Sequence, residues 1–264
     1  MNRAEILALY DQQRQFGTVY PGVRREITSY TVRTIDLISS EINGIFYSQL
    51  NEDNADAVIA EEIRFFQEIG QDFEWKAHDH DQPPDLKARL ARHGFDIGDA
   101  EAIMVLDIEQ TPDSLLQPMQ ADVRQITDPD SLAPLRQLLE AVWNEDFTGL
   151  FTRLGSDLRD NPDYLSMFAV YVDGAPVSVA WVGFLPGNAF AGLWGGSTLA
   201  AYRGRGFYRA LLAARLRAAR EKNCRFLTVD AGPMSRPILL RLGFEQISTA
   251  YACIWRHLKP EENG

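Results

Sequence analysis

The residues best placed to do chemistry are Arg203-Gly204-Arg205-Gly206, which join a β-type run to an amphipathic helical pattern. Two glycines two apart let the backbone adopt positive φ and approach a ligand closely. The helix that follows presents unbonded N–H groups and the positive end of its dipole. Such a turn suits a phosphate or pyrophosphate, and flanking arginines add charge-assisted bonds. Between Arg203 and Arg225 lie Arg205, Arg209, Arg215, Arg217, Arg220 and Lys222, with Glu221 the only acid. This basic island stands in a chain of net charge -11, which points to a local anionic ligand such as a phosphorylated cofactor. The alternative is a solvated helix face rich in good helix formers. A second cluster, His78-Asp79-His80-Asp81, has metal-ligand residue types. It precedes Pro83-Pro84 and lacks an evident third ligand, so an exposed loop without metal is expected.

These groups need a scaffold. Thr111 to Gln120, with Pro112 and Pro118, separates the strand-like runs Ala102–Ile108 and Val123–Ile126 and is read as a linker. Boundaries of 1–118 and 119–264 follow. Beyond the linker, Ser131–Trp143 has helical spacing. Met167–Val172 and Val177–Phe184 read as a hairpin about Asp173-Gly174. A third strand ends near Thr198, and a helix opens near Gly206 with Phe207, Leu211, Ala214 and Ala218 inward. Phe226–Val229 reads as a strand, Ser235–Leu242 as a short helix closed by Gly243, and Phe244–Trp255 as a last strand. The class is α+β, a mixed sheet with helices on its faces.

The first half repeats part of this order. Ala55–Ile69 matches Phe207–Arg220, Phe73–Lys76 matches Phe226–Val229, and Pro84–Arg92 with Gly94-Phe95 matches Arg236–Arg241 with Gly243-Phe244. The pattern suggests an old duplication. Before the first matched helix stands Asn51-Glu52-Asp53-Asn54, two acids and no glycine, which would repel a pyrophosphate. The first half is therefore expected to be structural or substrate-shaping.

No stretch approaches eighteen uninterrupted apolar residues, so no membrane span is expected. Met1-Asn2-Arg3-Ala4-Glu5 resembles a helix start and not a secretory signal. Cys224 and Cys253 have no metal-type spacing and fit reduced thiols of a cytoplasmic protein. The acidic balance argues against nucleic-acid and anionic-membrane partners.

The run Ser197 to Tyr208, centred on Arg203-Gly204-Arg205-Gly206, resembles the R/Q-x-x-G-x-G/A segment of the GNAT N-acetyltransferase superfamily. Pro233 to Phe244 is similar to the family's final helix ending in Gly-Phe. The resemblance covers most of residues 120–258. It implies two tandem GNAT-like domains, each a mixed, mostly antiparallel sheet flanked by helices, the first without a phosphate turn. Tyr208 departs from the family's Gly or Ala.

The resemblance implies acetyl-CoA as acyl donor. The backbone at Thr198 and Leu199 would bond the pantetheine arm. The amides from Arg203 through Gly204, Arg205, Gly206, Phe207 and Tyr208 to Arg209 would hold the pyrophosphate, and Ser235 would flank the pantetheine end. An oxyanion donor is expected near Leu199. Where the family often has a thiolate-protonating tyrosine this chain has Leu239; a thiol with pKa near ~8.5 is a tolerable leaving group without it. Glu145, Asp146 and Asp230 are alternatives for the base, each with a cap or a solvated carboxylate as its plain structural reading. Trp194 and Tyr251 are candidates for an acceptor pocket. The acceptor would be a small-molecule or peptide amine, and an acidic protein suits a cationic one. An acyl-CoA-binding regulatory module with little turnover is the alternative, and a purely structural protein is a third.

Overall fold

The computed structural model describes residues 1–17, 20–39, 42–117 and 119–257. The first half runs α1 (Arg3–Phe16), β1 (Val23–Ile27), β2 (Thr31–Asp36), β3 (Gly44–Ser48), α2 (Ala55–Glu68), β4 (Phe73–His78), α3 (Leu86–Arg92) and β5 (Asp96–Asp107). After α4 (Asp113–Leu116) come β6 (Asp122–Ile126), α5 (Ala133–Trp143), α6 (Thr148–Asp160), β7 (Leu165–Val172), β8 (Ala175–Gly183) and β9 (Phe190–Thr198). The chain closes with α7 (Phe207–Glu221), β10 (Phe226–Ala231), α8 (Arg236–Arg241) and β11 (Glu245–Trp255). The expected α+β class and the repeated helix–strand–helix–strand order are both present.

Two compact units form, residues 1–103 with the strand from Ile247, and residues 104–246. The first unit's sheet has the order β1-β2-β3-β4-β11. It is antiparallel except for β3 beside β4. The second unit's sheet has the order β10-β9-β8-β7-β6, antiparallel except for β10 beside β9.

This division departs from a cut at 118/119. β11 lies downstream of the linker, yet its hydrogen-bonded neighbour is β4, in register from Ala250↔His78 to Trp255↔Phe73. The end of β5 is held in the second unit, where Ile108 N donates to Arg225 O at 3.0 Å and Arg225 pairs with Asp107 at 2.8 Å. Each unit thus includes strand residues from the other half of the sequence. Pro118, one of the two linker prolines, is outside the described residues.

In the first unit Ile45, Ile59, Phe66, Phe73, Trp75, Leu90 and Phe95 form the core, with Phe66 stacked on Phe73 at 4.1 Å. In the second, alternation along β7 sorts two layers. Met167 and Ala169 pack with Leu135, Leu139, Phe151 and Leu154 of α5 and α6. Val170 packs with Phe207 and Leu211 of α7. The sheet therefore carries α5 and α6 on one face and α7 on the other. Among the described residues no helix is long and apolar enough to cross a membrane.

Candidate active site

In the second unit β9 and β10 pair through only three rungs, ending at Thr228↔Gly192. β9 continues to Thr198 and β10 to Ala231, so the strands part and leave a V-shaped opening. On its other edge β9 keeps β8 as far as Ser178↔Thr198. A register shift opposite Val179 to Trp181 places one extra residue in β9, a bulge at Gly195-Gly196. Gly195 has φ +64, and a Cβ there would collide with the ring of Trp181.

The opening leads to the Arg203–Gly206 turn. Gly204 and Gly206 have φ +75 and +82, conformations that strain a residue bearing Cβ. Gly206 caps α7 without any side-chain hydrogen bond to the first turn. No acceptor serves the amides of Gly204, Arg205, Gly206, Phe207, Tyr208 or Arg209 among the described residues. The buried Nε of Arg209 has no hydrogen-bond partner there either. Unbonded donors at a helix N-terminus, with an orphaned guanidinium nitrogen beside them, fit a pyrophosphate. A side chain at Gly206 would also run into Met119.

Of Thr198 and Leu199, both expected to bond the pantetheine arm, Leu199 is turned away. Leu199 N donates to Val177 O at 3.0 Å, and its carbonyl accepts from Tyr202 N at 2.9 Å. Leu199 therefore faces β8 and can supply neither a strand-like bond to a ligand in the opening nor an oxyanion donor. Backbone alternation turns Thr198 the other way. Its carbonyl accepts from Arg203 Nε at 3.2 Å, and its hydroxyl lies 2.7 Å from that of Ser178.

Tyr208 turns from the phosphate turn toward the sheet. Its Cε2 lies 3.2 Å from where Gly196 would carry a Cβ. Its hydroxyl meets the buried Arg215 guanidinium; burial lowers the arginine's pKa and raises the tyrosine's. Glycine in β9 and tyrosine in α7 thus exchange volume.

The carboxylates separate by location. Asp146 Oδ1 accepts from Thr148 N at 2.8 Å, and bonds from the Thr148 side chain and backbone hold its pKa below the usual range. It caps the start of α6. Glu145 is exposed in the loop between α5 and α6. Asp230 stands beyond the last rung of β10, two residues after Thr228, so alternation puts both on the sheet face that carries Trp194. The Thr228 hydroxyl is buried with no hydrogen-bond partner among the described residues. Ser235 Oγ donates to Gly232 O at 3.3 Å. Leu239 is fully buried and brings no acid to the opening.

The first unit has the same opening with different contents. β3 and β4 pair only at Gly44↔Glu74 and Ile45↔Trp75 before parting. Into that gap α1 sends Arg14, whose Nε donates to Phe46 O at 2.9 Å. The guanidinium also meets Asp11 at 2.7 Å and Asp81 at 3.4 Å and lies over Tyr10 and Tyr47. His80 bridges Ser248, 2.7 Å away, and Asp11 at 3.0 Å. The His-Asp-His-Asp run is thus only partly the exposed loop expected: His78 and Asp81 are buried in this polar plug, while Asp79 is half-exposed. No metal-type cluster exists among the described residues. Tyr251, an expected pocket residue, packs with the first unit's core beneath Lys87.

A parted parallel pair, a bulged strand and a glycine turn at a helix N-terminus together offer a site for a phosphorylated ligand. Residues 132–244 match the model of the Acetyltransferase (GNAT) family, and this part of the chain is a GNAT domain. The whole chain has a tandem GNAT fold. It is similar to a GCN5-related N-acetyltransferase from Kribbella flavida (TM-score 0.68, 15% identity, covering 95% of this chain and 94% of that one). It is also similar to a functionally unknown conserved protein from Staphylococcus epidermidis (0.67, 13%, 91% and 96%). A third similar structure is a tandem GNAT protein from the clavulanic acid biosynthesis pathway (0.62, 15%, 95% and 88%). No curated protein matches the chain.

Proposed function

We propose that the second unit is an acetyl-CoA-dependent N-acetyltransferase that passes the acetyl group directly to an amine of a small molecule or peptide. The observation that carries this reading is the Gly204–Arg209 set of unbonded amides beside the β9/β10 opening. The pyrophosphate of the donor would rest on these amides and on Arg209. The pantetheine arm would lie along the open edge of β9 and bond to Thr198, with Ser235 at its flank. The thioester would then sit at the bulge, where β9 has no β10 partner.

With α7 covering the donor side, the amine approaches from the α5/α6 face. Its nitrogen must be neutral to attack, so a carboxylate has to take its proton. Asp230 is best placed for that work, Glu145 lies in the adjoining loop, and Asp146 is committed to its cap. The new amide takes the acetyl carbon. The thiolate leaves with its electron pair and is protonated by solvent, since Leu239 offers no acid.

Calorimetry with acetyl-CoA tests this, with Gly206→Glu as control, followed by thiol release across an amine panel. Folded protein that ignores acetyl-CoA would remove the proposal. Leu239 also favours a second reading, an acyl-CoA-binding regulatory module. Thiol release with any amine at catalytic turnover excludes it.

A further inference from the structure

The opening has one face that the donor does not use, and that face is furnished in an unusual way. Trp143, at the end of α5, and Trp194, in β9, are 49% and 46% exposed. Cross-strand partners share a face. Ser197 opposes Val179 and Trp194 opposes Trp181, so the bulge brings Ser197 and Trp194 to the α5/α6 side together. Trp143 Nε1 donates to the buried Ser197 Oγ at 2.9 Å. The indole of Trp194 folds back over Gly192, its Nε1 being 2.8 Å from where a Cβ would stand. One indole is thus anchored at residue 197 and the other lies over residue 192. They bracket the stretch of β9 that has lost β10. Gly192 is also the rung opposite Thr228, and glycine is what leaves room for the ring.

The charges around these rings are negative. Glu145 and Asp146 follow Trp143 after one residue, and strand alternation from the Thr228↔Gly192 rung puts Asp230 on the same sheet face as Trp194. The basic side chain of α5, Arg136, is engaged by Glu140 at 3.3 Å and donates to Thr148 at 2.7 Å. Exposed indole faces with carboxylates beside them attract organic cations.

A cation held this way cannot be the reacting nitrogen, which must be neutral. We propose that the acceptor is a diamine or polyamine, with one nitrogen presented to the thioester and a second, charged nitrogen held against Trp143 and Trp194. This rests on the transferase reading for the reaction and on the two indoles for the specificity. Trp143 and Trp194 are specificity-determining residues, and Ser197 positions Trp143.

The test reads the indole N–H signals of the 15N-labelled protein, with Trp143 and Trp194 identified by Trp143→Phe and Trp194→Phe. The probes are putrescine, spermidine, choline, and the neutral analogues 1,4-butanediol and 3,3-dimethylbutan-1-ol. The cations should move the Trp143 and Trp194 signals, and each neutral analogue should bind about 2- to 30-fold more weakly than its cation. Trp194→Leu should raise KM for a polyamine by a similar factor with kcat little changed. Neutral analogues that bind as well as the cations overturn the proposal, as does the absence of any shift with all three cations. Acetylation of amines with KM unchanged in Trp194→Leu overturns it and leaves the transferase standing. Indole shifts in a protein that ignores acetyl-CoA have the reverse meaning: the cation site stands and the transferase reading falls.

Discussion

The same parting of two parallel strands occurs twice in this chain and is put to opposite uses. In the second unit the gap between β9 and β10 runs down to a glycine turn with unbonded amides. In the first, the gap between β3 and β4 is filled by Arg14. Its turn, Asn51 to Asn54, is closed on itself. Asn51 Oδ1 accepts from the amides of Asp53 and Asn54 at 3.0 Å each, and Asn54 Oδ1 accepts from Asn51 N at 2.8 Å. Asparagine side chains there do what a phosphate would do at Gly204–Arg209, and Glu52 and Asp53 repel an anion besides. A turn of this kind can therefore be closed without changing the fold, by satisfying several of its donors from within the chain.

Breaking the plug should have the largest effect. Arg14→Met leaves the buried Asp81 without its cation and should destabilise the protein by about 3–5 kcal/mol in urea unfolding. If both openings were equally tolerant of emptiness, the variant would unfold like the wild type. Next, saturating acetyl-CoA at a hundred times its Kd should stabilise the wild type by about 2.7 kcal/mol. Gly206→Glu should lose that gain, and calorimetry should count one ligand per chain. Two ligands per chain would erase the contrast between the units.

A smaller effect concerns acid. Burial would raise the Asp81 carboxyl, but bonds from His78 and the Arg14 charge prevail and hold it at about 2, from an ordinary 3.8. A depressed value means stability that is full above the unfolded-state value and lost as pH falls through the folded one. Asp81 should contribute about 2 kcal/mol above pH ~4 that disappears toward pH ~2. Comparing the acid limb of the urea midpoint in Asp81→Asn with the wild type measures this. Smallest is His80, whose pKa is raised chiefly by its bond to Asp11. Its contribution is present below the ordinary 6.5 and fades as pH rises through the raised value. His80→Gln should therefore cost more stability at pH 5.5 than at pH 9, and an equal cost at both would deny the charged bridge.

What could be read from the sequence was local. The turn at Arg203–Gly206 announces itself because two glycines and a helix start lie within a few residues. The acidic turn at Asn51–Asn54 was legible as the converse, though not the way its asparagines close it. α6 was not, since Arg153 and Asp157 interrupt its apolar stripe while pairing with each other at 3.4 Å inside the fold. The Arg14 plug joins α1 to β3 and to the end of β4, a meeting that no spacing rule reveals. The role given to Leu199 failed for a related reason. Which edge of β9 its amide faces depends on the bulge at Gly195-Gly196, a property of strand register. Trp194 stands out in the sequence as an aromatic strand residue, but that Trp143 is anchored to the same strand by Ser197 is visible only in the fold.

The placement of β11 has a consequence for how the molecule is made. Strands β1 to β4 emerge early in synthesis, while the neighbour of β4 is the last strand of the described chain. Until residue 255 has left the ribosome, β4 has an open edge and its apolar face lacks Cys253. A contact this distant in sequence is slow to close, so the first unit should complete its sheet after the second has gathered most of its own. A fragment ending in the linker should present an unpaired edge to other chains and aggregate. The half of the molecule that leaves the ribosome first is then the half that finishes folding last.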